Sequence, residues 1–343
     1  MDTCKIRKFS GSGREIGLSI GKVLKNNLEI LIDRFIDITN KAYGLDFSNL
    51  GEESLFWLNK IPLVYLEELE GLAEGSGCSL TKIAQWIYCD RSIGTGCTSF
   101  IYNFNGLTWV GRNNDYIGPK MWDCAYIISK TGFIPVMLFG PERSTFSGTG
   151  YNAEKLWLHY NWLPVWDIND VEDNALSPFI FIRTALESCR NLSEVEMLLR
   201  STTRDGGMNL FAVDGKDNSF CVYECSRKAF VKRKIENGWV VGTNHYNSLQ
   251  LPMEFEYNTT NSVFRQAKVE NFLKNINIKR LNTEKIHEDL IEILADPEIE
   301  CCNEYSGTVY SNIACPALDA LWYACDGFPA ASKSKWEKLN WTW

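Results

Sequence analysis

The chain has 343 residues, 45% of them hydrophobic with 12 Trp, 14 Tyr and 18 Phe, which is enough for a large core and an aromatic pocket and excludes a disordered chain. A formal net charge of -8 excludes broad binding to nucleic acid or an anionic membrane surface, both of which need clustered Lys and Arg, and favours a small-molecule partner. Apolar runs such as Phe133–Gly140 are too short to cross a bilayer and Met1–Lys8 lacks the apolar stretch of a secretory signal, so the expected location is cytoplasmic.

In chain order, residues up to about 94 read as helical. Ile16–Ala42 carries apolar residues at helical spacing, and Leu63–Leu72 and Leu80–Ile87 continue that style, with Gly75 and Gly77 as punctuation. From Cys97 the pattern turns to short β-rich runs: Thr98–Tyr102, Leu107–Val110, Ala125–Ser129, Pro135–Phe139, Leu210–Val213, Ser219–Glu224 and Gly238–Gly242. Asn105-Gly106 and Asp214-Gly215 are turn signals between such runs. Pro178–Leu199, with a capped start near Leu192, and Asn261–Leu273 are two further amphipathic segments. Sheets with helices segregated around them predict a layered α+β sandwich.

Twelve cysteines with no regular framework read as mostly reduced thiols. Cys221 and Cys225, and the adjacent Cys301 and Cys302, lack the paired spacing of a zinc site and only three histidines are available, so neither metal nor other cofactor is expected.

Cys97 stands at the junction between the helical and β-rich parts. Alone, it reads as a buried cysteine beginning a core strand. If Asn105-Gly106 forms a two-residue hairpin loop, Cys97 faces Asn114 and lies beside Asp115; a three-residue loop ending at Leu107 puts Asp115 directly opposite. Either register brings Arg112 and Asp115 to the start of the Cys97 strand, so that thiol, guanidinium and carboxylate converge. That convergence has a chemical use if Cys97 owns a free α-amine, whose reference pKa near ~7.7–8.0 lets it exchange protons with the thiol at neutral pH. While Gly96 is attached the nitrogen is an amide, so cutting the Gly96–Cys97 bond is the expected activation step. It divides the chain into a helical part, 1–96, that stays associated, and a catalytic part, 97–343.

The run Gly96-Cys-Thr-Ser-Phe, followed by Gly111-Arg-Asn-Asn-Asp115, resembles the isopenicillin N acyltransferase (acyl-coenzyme A:6-aminopenicillanic acid acyltransferase) family of N-terminal-nucleophile hydrolases, relatives of the choloylglycine and penicillin V hydrolases. Upstream, Gly11-Ser-Gly-Arg-Glu-Ile-Gly-Leu-Ser-Ile-Gly21 and Leu66-Glu-Glu-Leu-Glu-Gly-Leu-Ala-Glu-Gly-Ser-Gly77 are similar to two signatures of that family. Downstream, Gly150–Lys155, Asn209–Asp214, Thr243-Asn-His245 and Ser262-Val-Phe-Arg265 recur in its order. The resemblance covers roughly residues 8 to 328. It implies a four-layer αββα sandwich of two mostly antiparallel sheets. It also implies Cys97 as nucleophile and proton carrier, Asp115 binding the ammonium, Arg112 favouring the thiolate, Asn244 as oxyanion donor, Asn161 as a second contributor and Arg265 closing the cluster.

The activity implied is attack on a small-molecule amide through a Cys97 thioester, with the acyl group passed to water or an amine. An acyl-CoA donor, an amine acceptor, the chain's own N-terminal part and a homo-oligomer are the partners left open. Three other readings compete: acyl-CoA-dependent N-acyl transfer on the same site, a catalytically silent small-molecule-binding relative, and a papain-like protease using Cys97 and His245. Trp122, Phe139, Phe146, Trp157 and Trp162 are expected near the pocket walls, with core packing as the alternative.

Overall fold

A computed structural model of the chain describes residues 4–47, 50–94, 96–141, 144–167, 175–235, 237–253, 255–276 and 285–343. The N-terminal part is not wholly helical. It opens with strand β1 (Lys5–Gly11), then α1 (Gly13–Val23), α2 (Leu28–Tyr43), α3 (Gly51–Leu58), α4 (Leu63–Ser76) and α5 (Leu80–Ser92). β1 pairs parallel with a strand more than a hundred residues away, a partner no local pattern reveals. The helical spacing read over Ile16–Ala42 belongs to two helices, separated by a turn in which Asn26 has φ 72°. A Ser12–Glu15 capping box starts α1, and left-handed Gly44 and Gly77 end α2 and α4.

The two glycine-rich signatures are the faces on which α1 and α4 meet. A β-carbon on Gly17 would sit 1.8 Å from the Glu68 carbonyl oxygen, and one on Gly71 2.3 Å from that of Arg14. Only residues without side chains allow the two backbones this approach.

The rest of the chain supplies β2 (Cys97–Phe104), β3 (Leu107–Ile117), β4 (Cys124–Lys130), β5 (Val136–Gly140), β6 (Thr149–Asn152) and β7 (Leu156–Leu163), followed by α6 (Pro178–Ser188) and α7 (Leu192–Ser201). Then come β8 (Gly207–Asp214), β9 (Ser219–Cys225), β10 (Phe230–Lys232), β11 (Trp239–Gly242), α8 (Thr260–Asn275), α9 (Ile286–Leu294), β12 (Ser306–Cys315), β13 (Ala320–Ala324), α10 (Ala330–Lys333) and β14 (Glu337–Lys338). Among the described residues one sheet runs β1-β4-β5-β6-β7-β8-β9-β10 and the other β11-β2-β3-β12-β13-β14, antiparallel throughout except for β1–β4.

Alternation along β2 divides its side chains between two cores. Phe100 and Tyr102 pack with Val269, Leu273, Ile286 and Leu290 of α8 and α9, whereas Ile101 joins the core shared with the larger sheet. α6 packs on β6 and β7, and α7 on β8. The result is the expected layering of helices, sheet, sheet and helices, with Cys97 beginning an inner strand of the smaller sheet.

Candidate active site

Asn105 and Gly106 form a two-residue loop with φ 51° and 78°, the positive values such a turn requires. The loop fixes the register as Cys97↔Asn114, Thr98↔Asn113 and Ser99↔Arg112, the first of the two sequence alternatives. Alternation then sends Cys97 and Arg112 to the inner face and Asp115 to the outer one. Thiol and carboxylate therefore converge from opposite sides of the sheet, with the Gly96–Cys97 peptide between them.

On the inner face, Arg112 Nη2 lies 3.5 Å from Cys97 Sγ and donates to the Tyr160 carbonyl at 2.6 Å. Its Nη1 donates to the Gly148 carbonyl at 3.1 Å and the Tyr310 hydroxyl at 3.0 Å, and also to Thr149 Oγ1. Burial pushes the Cys97 thiol up from its ordinary range, and the Arg112 guanidinium opposes that shift.

On the outer face, Asp115 Oδ1 accepts from Thr308 Oγ1 at 2.6 Å, while Oδ2 has no hydrogen bond. Oδ2 is 3.9 Å from Arg265 Nη1 and 3.1 Å from where a β-carbon on Gly96 would sit. Burial raises the Asp115 carboxyl above its usual value, partly offset by Arg265 and the Thr308 hydroxyl. Arg265 comes from α8, 168 positions after Cys97, yet its Nη1 donates to the Cys97 carbonyl at 2.7 Å and to Thr98 Oγ1 at 2.6 Å. Its Nη2 donates to Asn244 Oδ1 at 3.0 Å. The same Asn244 oxygen accepts the Cys97 backbone N–H at 2.8 Å, and Asn244 Nδ2 donates to the Trp162 carbonyl at 2.9 Å.

Cys97, Arg112, Asp115, Asn244 and Arg265 are thus brought together. Asn161 is not brought to the thiol by any contact among the described residues: it accepts from Ser99 Oγ at 2.8 Å and donates to the Gly242 carbonyl at 2.8 Å, bracing β2 and β11 from β7. The reason is alternation, which aims its side chain at the next inward position of β2 rather than at Cys97. His245 bonds Ser262 Oγ at 2.8 Å and Thr243 Oγ1 at 3.2 Å, and burial lowers its pKa, so its ring is a structural hydrogen-bonder.

A profile of the acyl-coenzyme A:6-aminopenicillanic acid acyl-transferase family matches residues 103–327. The chain belongs to that family. Among solved structures, this acyl-transferase family member is similar to a Caenorhabditis elegans orthologue of N-acylethanolamine-hydrolyzing acid amidase, with a TM-score of 0.50 at 16% identity over 71% of this chain and 100% of that one. That likeness shows the N-terminal-nucleophile hydrolase fold. Weaker likenesses are to penicillin V acylase from Agrobacterium tumefaciens (TM-score 0.49, 12% identity, 67% and 83% of the two chains) and a conjugated bile acid hydrolase from Clostridium perfringens (TM-score 0.45, 13% identity, 72% and 97%). A search of curated protein sequences gives no match.

The acyl-transferase match begins at residue 103, beyond Cys97, but contains Arg112, Asp115, Asn161, Asn244 and Arg265. Two cavities flank the cysteine. A cleft of about 200 Å³ on the outer side is lined by Tyr43, Gly96, Asp115, Arg265, Cys301 and Asn303. The inner pocket, of about 10 Å³, touches Cys97, Trp122, Tyr160, Trp162, Phe179 and Tyr310. Of the five aromatic residues expected near a pocket, Trp122 and Trp162 line this one and Phe146 lines the cavity beyond it. Phe139 and Trp157 meet in the core with ring centres 6.0 Å apart and planes tilted by 33°, and Trp157 lines a separate small cavity with Tyr151 and Trp341. Sequence reasoning missed Thr308 and Tyr310, which reach the site on β12. Their only local signal, alternating polar residues in Ser306–Asn312, reads equally as a surface strand. Among the described residues no group of three or more His, Cys, Asp or Glu side chains is arranged to hold a metal ion.

Proposed function

We propose that this member of the acyl-transferase family cuts its own Gly96–Cys97 bond and then works as a cysteine amide hydrolase on a small N-acyl amine. The supporting observation is the setting of the Cys97 nitrogen: its single N–H goes to Asn244 Oδ1, while the buried Asp115 Oδ2 beside Gly96 has no donor. An amide supplies one N–H and no charge, whereas an α-ammonium supplies three donors and a positive charge, which suits a buried carboxylate oxygen that accepts no hydrogen bond and has the Arg265 guanidinium 3.9 Å away. Cleavage turns an unfavourable buried arrangement into a paired one.

In the precursor, Cys97 Sγ attacks the Gly96 carbonyl carbon, whose oxygen accepts the Asp115 backbone N–H at 3.1 Å. A sulfur–carbon bond forms as the peptide C–N bond breaks, and the proton lost by the thiol passes to the nitrogen. Water then hydrolyses the thioester, leaving a Gly96 carboxylate, a free thiol and the new amine. In turnover that amine takes the thiol proton during attack on the substrate carbonyl and returns it to the leaving amine. Arg112 favours the thiolate, Asn244 is the side-chain donor to the developing oxyanion, and Arg265 fixes Cys97 through its carbonyl and Thr98. Asn161 acts through Ser99 and Gly242 rather than on the substrate. Hydrolysis is preferred because water needs no dedicated pocket.

A second reading, transfer of an acyl group from acyl-CoA to an amine on the same site, is favoured by the cleft of about 200 Å³ beside Asp115, which has room for a small acceptor. The test is direct. Purified wild-type protein is expected to run as two fragments under denaturing conditions with a new N-terminus at Cys97, and to hydrolyse members of a panel of N-acyl amines. Cys97→Ala is expected to stay one inactive chain. An active preparation in which Cys97 is still joined to Gly96 overturns the reading, and products that form only when an amine acceptor is added select transfer over hydrolysis.

A further inference from the structure

The inner pocket beside Cys97, at about 10 Å³, has room for roughly one water, so an acyl chain of any length enters only if a wall moves. Three of the six aromatic side chains that line it are tethered by hydrogen bonds. The Tyr116 hydroxyl donates to Asp90 Oδ1 at 2.7 Å, Trp122 Nε1 donates to the Ile117 carbonyl at 2.9 Å, and the Tyr310 hydroxyl is held by Arg112 at 3.0 Å. Phe179 has no polar atom to tether. It is half-buried in the first turn of α6, packed edge-on against Tyr160 at 5.5 Å and Tyr116 at 6.4 Å between ring centres. Its backbone, by contrast, is fixed, because Ser177 caps α6 by accepting the Ile180 N–H and Pro178 occupies the first turn.

Behind Phe179 lies a second cavity of about 10 Å³, walled by Trp86 and Ile87 of α5 together with Phe146 and Ile180, with Asp90, Ser144 and Ser177 as its polar lining. Phe179 lines both cavities. Resting on the reading of Cys97 as the acyl-accepting nucleophile, we propose that Phe179 is the gate that sets acyl-chain length. When its ring swings aside the two spaces join, and the distal carbons of an apolar acyl group lie against Trp86, Ile87, Phe146 and Ile180. Trp86 and Ile87 precede the Gly96–Cys97 bond, so the N-terminal fragment supplies part of the acyl-binding wall as well as a cover for the core.

The test labels Cys97 with N-alkylmaleimides from methyl to dodecyl, a thiol addition that needs no turnover, and locates the adduct by peptide mass spectrometry. Wild type is compared with Phe179→Ala, the milder Phe179→Leu and the bulkier Phe179→Trp, and hydrolysis of N-acyl p-nitroanilides of the same chain lengths is measured in parallel. The dodecyl-to-methyl ratio of labelling rates is expected to rise about tenfold or more in Phe179→Ala, less in Phe179→Leu, and to fall in Phe179→Trp, because each methylene admitted to an apolar wall adds to binding. Ratios that stay within about twofold of wild type in all three variants overturn the gate, whatever the hydrolysis rates. A shifted labelling ratio in a protein that hydrolyses no amide supports the gate and overturns the hydrolase reading instead.

Discussion

At the scale of single residues, the reactivity of Cys97 is set by burial, which holds the thiol protonated, against the Arg112 guanidinium 3.5 Å away, which favours the thiolate. Arg112→Met removes the favourable charge while keeping most of the volume. The pH midpoint for alkylation of Cys97 by iodoacetamide is expected to move upward, since a thiol already raised by burial then loses the largest influence opposing that shift. A midpoint that stays put or falls would show that Arg112 does not support the thiolate. Asn244→Ala is expected to lower kcat by about 10²–10³-fold, the usual loss for one oxyanion donor, and near-normal turnover would assign that role elsewhere. That Cys97 meets the Asn114–Asp115 segment was legible under either loop length the sequence left open, and the observed two-residue loop at Asn105-Gly106 selects the pairing with Asn114. The partners of Arg265 were not, since an arginine on α8 finds the Cys97 carbonyl only after the helix docks on the small sheet.

At the scale of elements, the α1–α4 contact makes a sharp prediction. A methyl on Gly17 has backbone 1.8 Å away and cannot be accommodated by rotating a side chain, so the helices must part. Gly17→Ala is expected to destabilise the protein by about 1–3 kcal/mol or more, read by denaturant unfolding, and an unchanged midpoint would refute so close a contact. α4 is also tied to α6 and β4 by a buried ion cluster. Arg183 Nη2 meets Glu68 Oε2 at 2.9 Å, Arg183 Nε meets Glu187 Oε1 at 2.9 Å, and Lys130 meets Glu187 Oε2 at 3.0 Å. Burial pushes the Glu68 carboxyl up, but Arg183 and Lys130 more than reverse this and leave it below its ordinary value. Its contribution to stability is therefore present above the unfolded pKa of about 4.3 and is lost as pH falls through the lower folded value. Glu68→Gln breaks a buried pair and is expected to cost about 3–5 kcal/mol at pH 7, with a smaller difference from wild type in strong acid. Thermal melts across that range check both parts. The helical segment expected over Pro178–Leu199 proves to be α6 and α7, with Asn191 capping the second by accepting the Glu194 N–H at 3.0 Å. β12 escaped notice because buried Thr308, Ser311 and Asn312 interrupt its apolar pattern; Thr308 and Ser311 bond to residues of β3, 193 and 198 positions away.

At the scale of the whole molecule, the part before Gly96 is bound into the rest through the β1–β4 ladder, the Glu68 cluster and a continuous apolar core. After cleavage the fragments 1–96 and 97–343 are expected to co-elute in gel filtration and to separate only in denaturant; dissociation in native buffer would count against these contacts. No helix among the described residues is long and apolar enough to cross a membrane. The sequence by itself determined the layered α+β class, the hairpin that opens the catalytic part and the residue types gathered around Cys97, because helical period, strand alternation and a tight turn are local properties of the chain. Only the tertiary structure decided that thiol and carboxylate approach from opposite faces of one sheet, that Asn161 bonds Ser99 and Gly242, that Thr308 and Tyr310 complete the cluster, and that Phe179 stands between the inner pocket and a second cavity lined by α5. Those contacts join elements up to two hundred residues apart, and packing geometry, which no local pattern encodes, selects among the many pairings that composition allows.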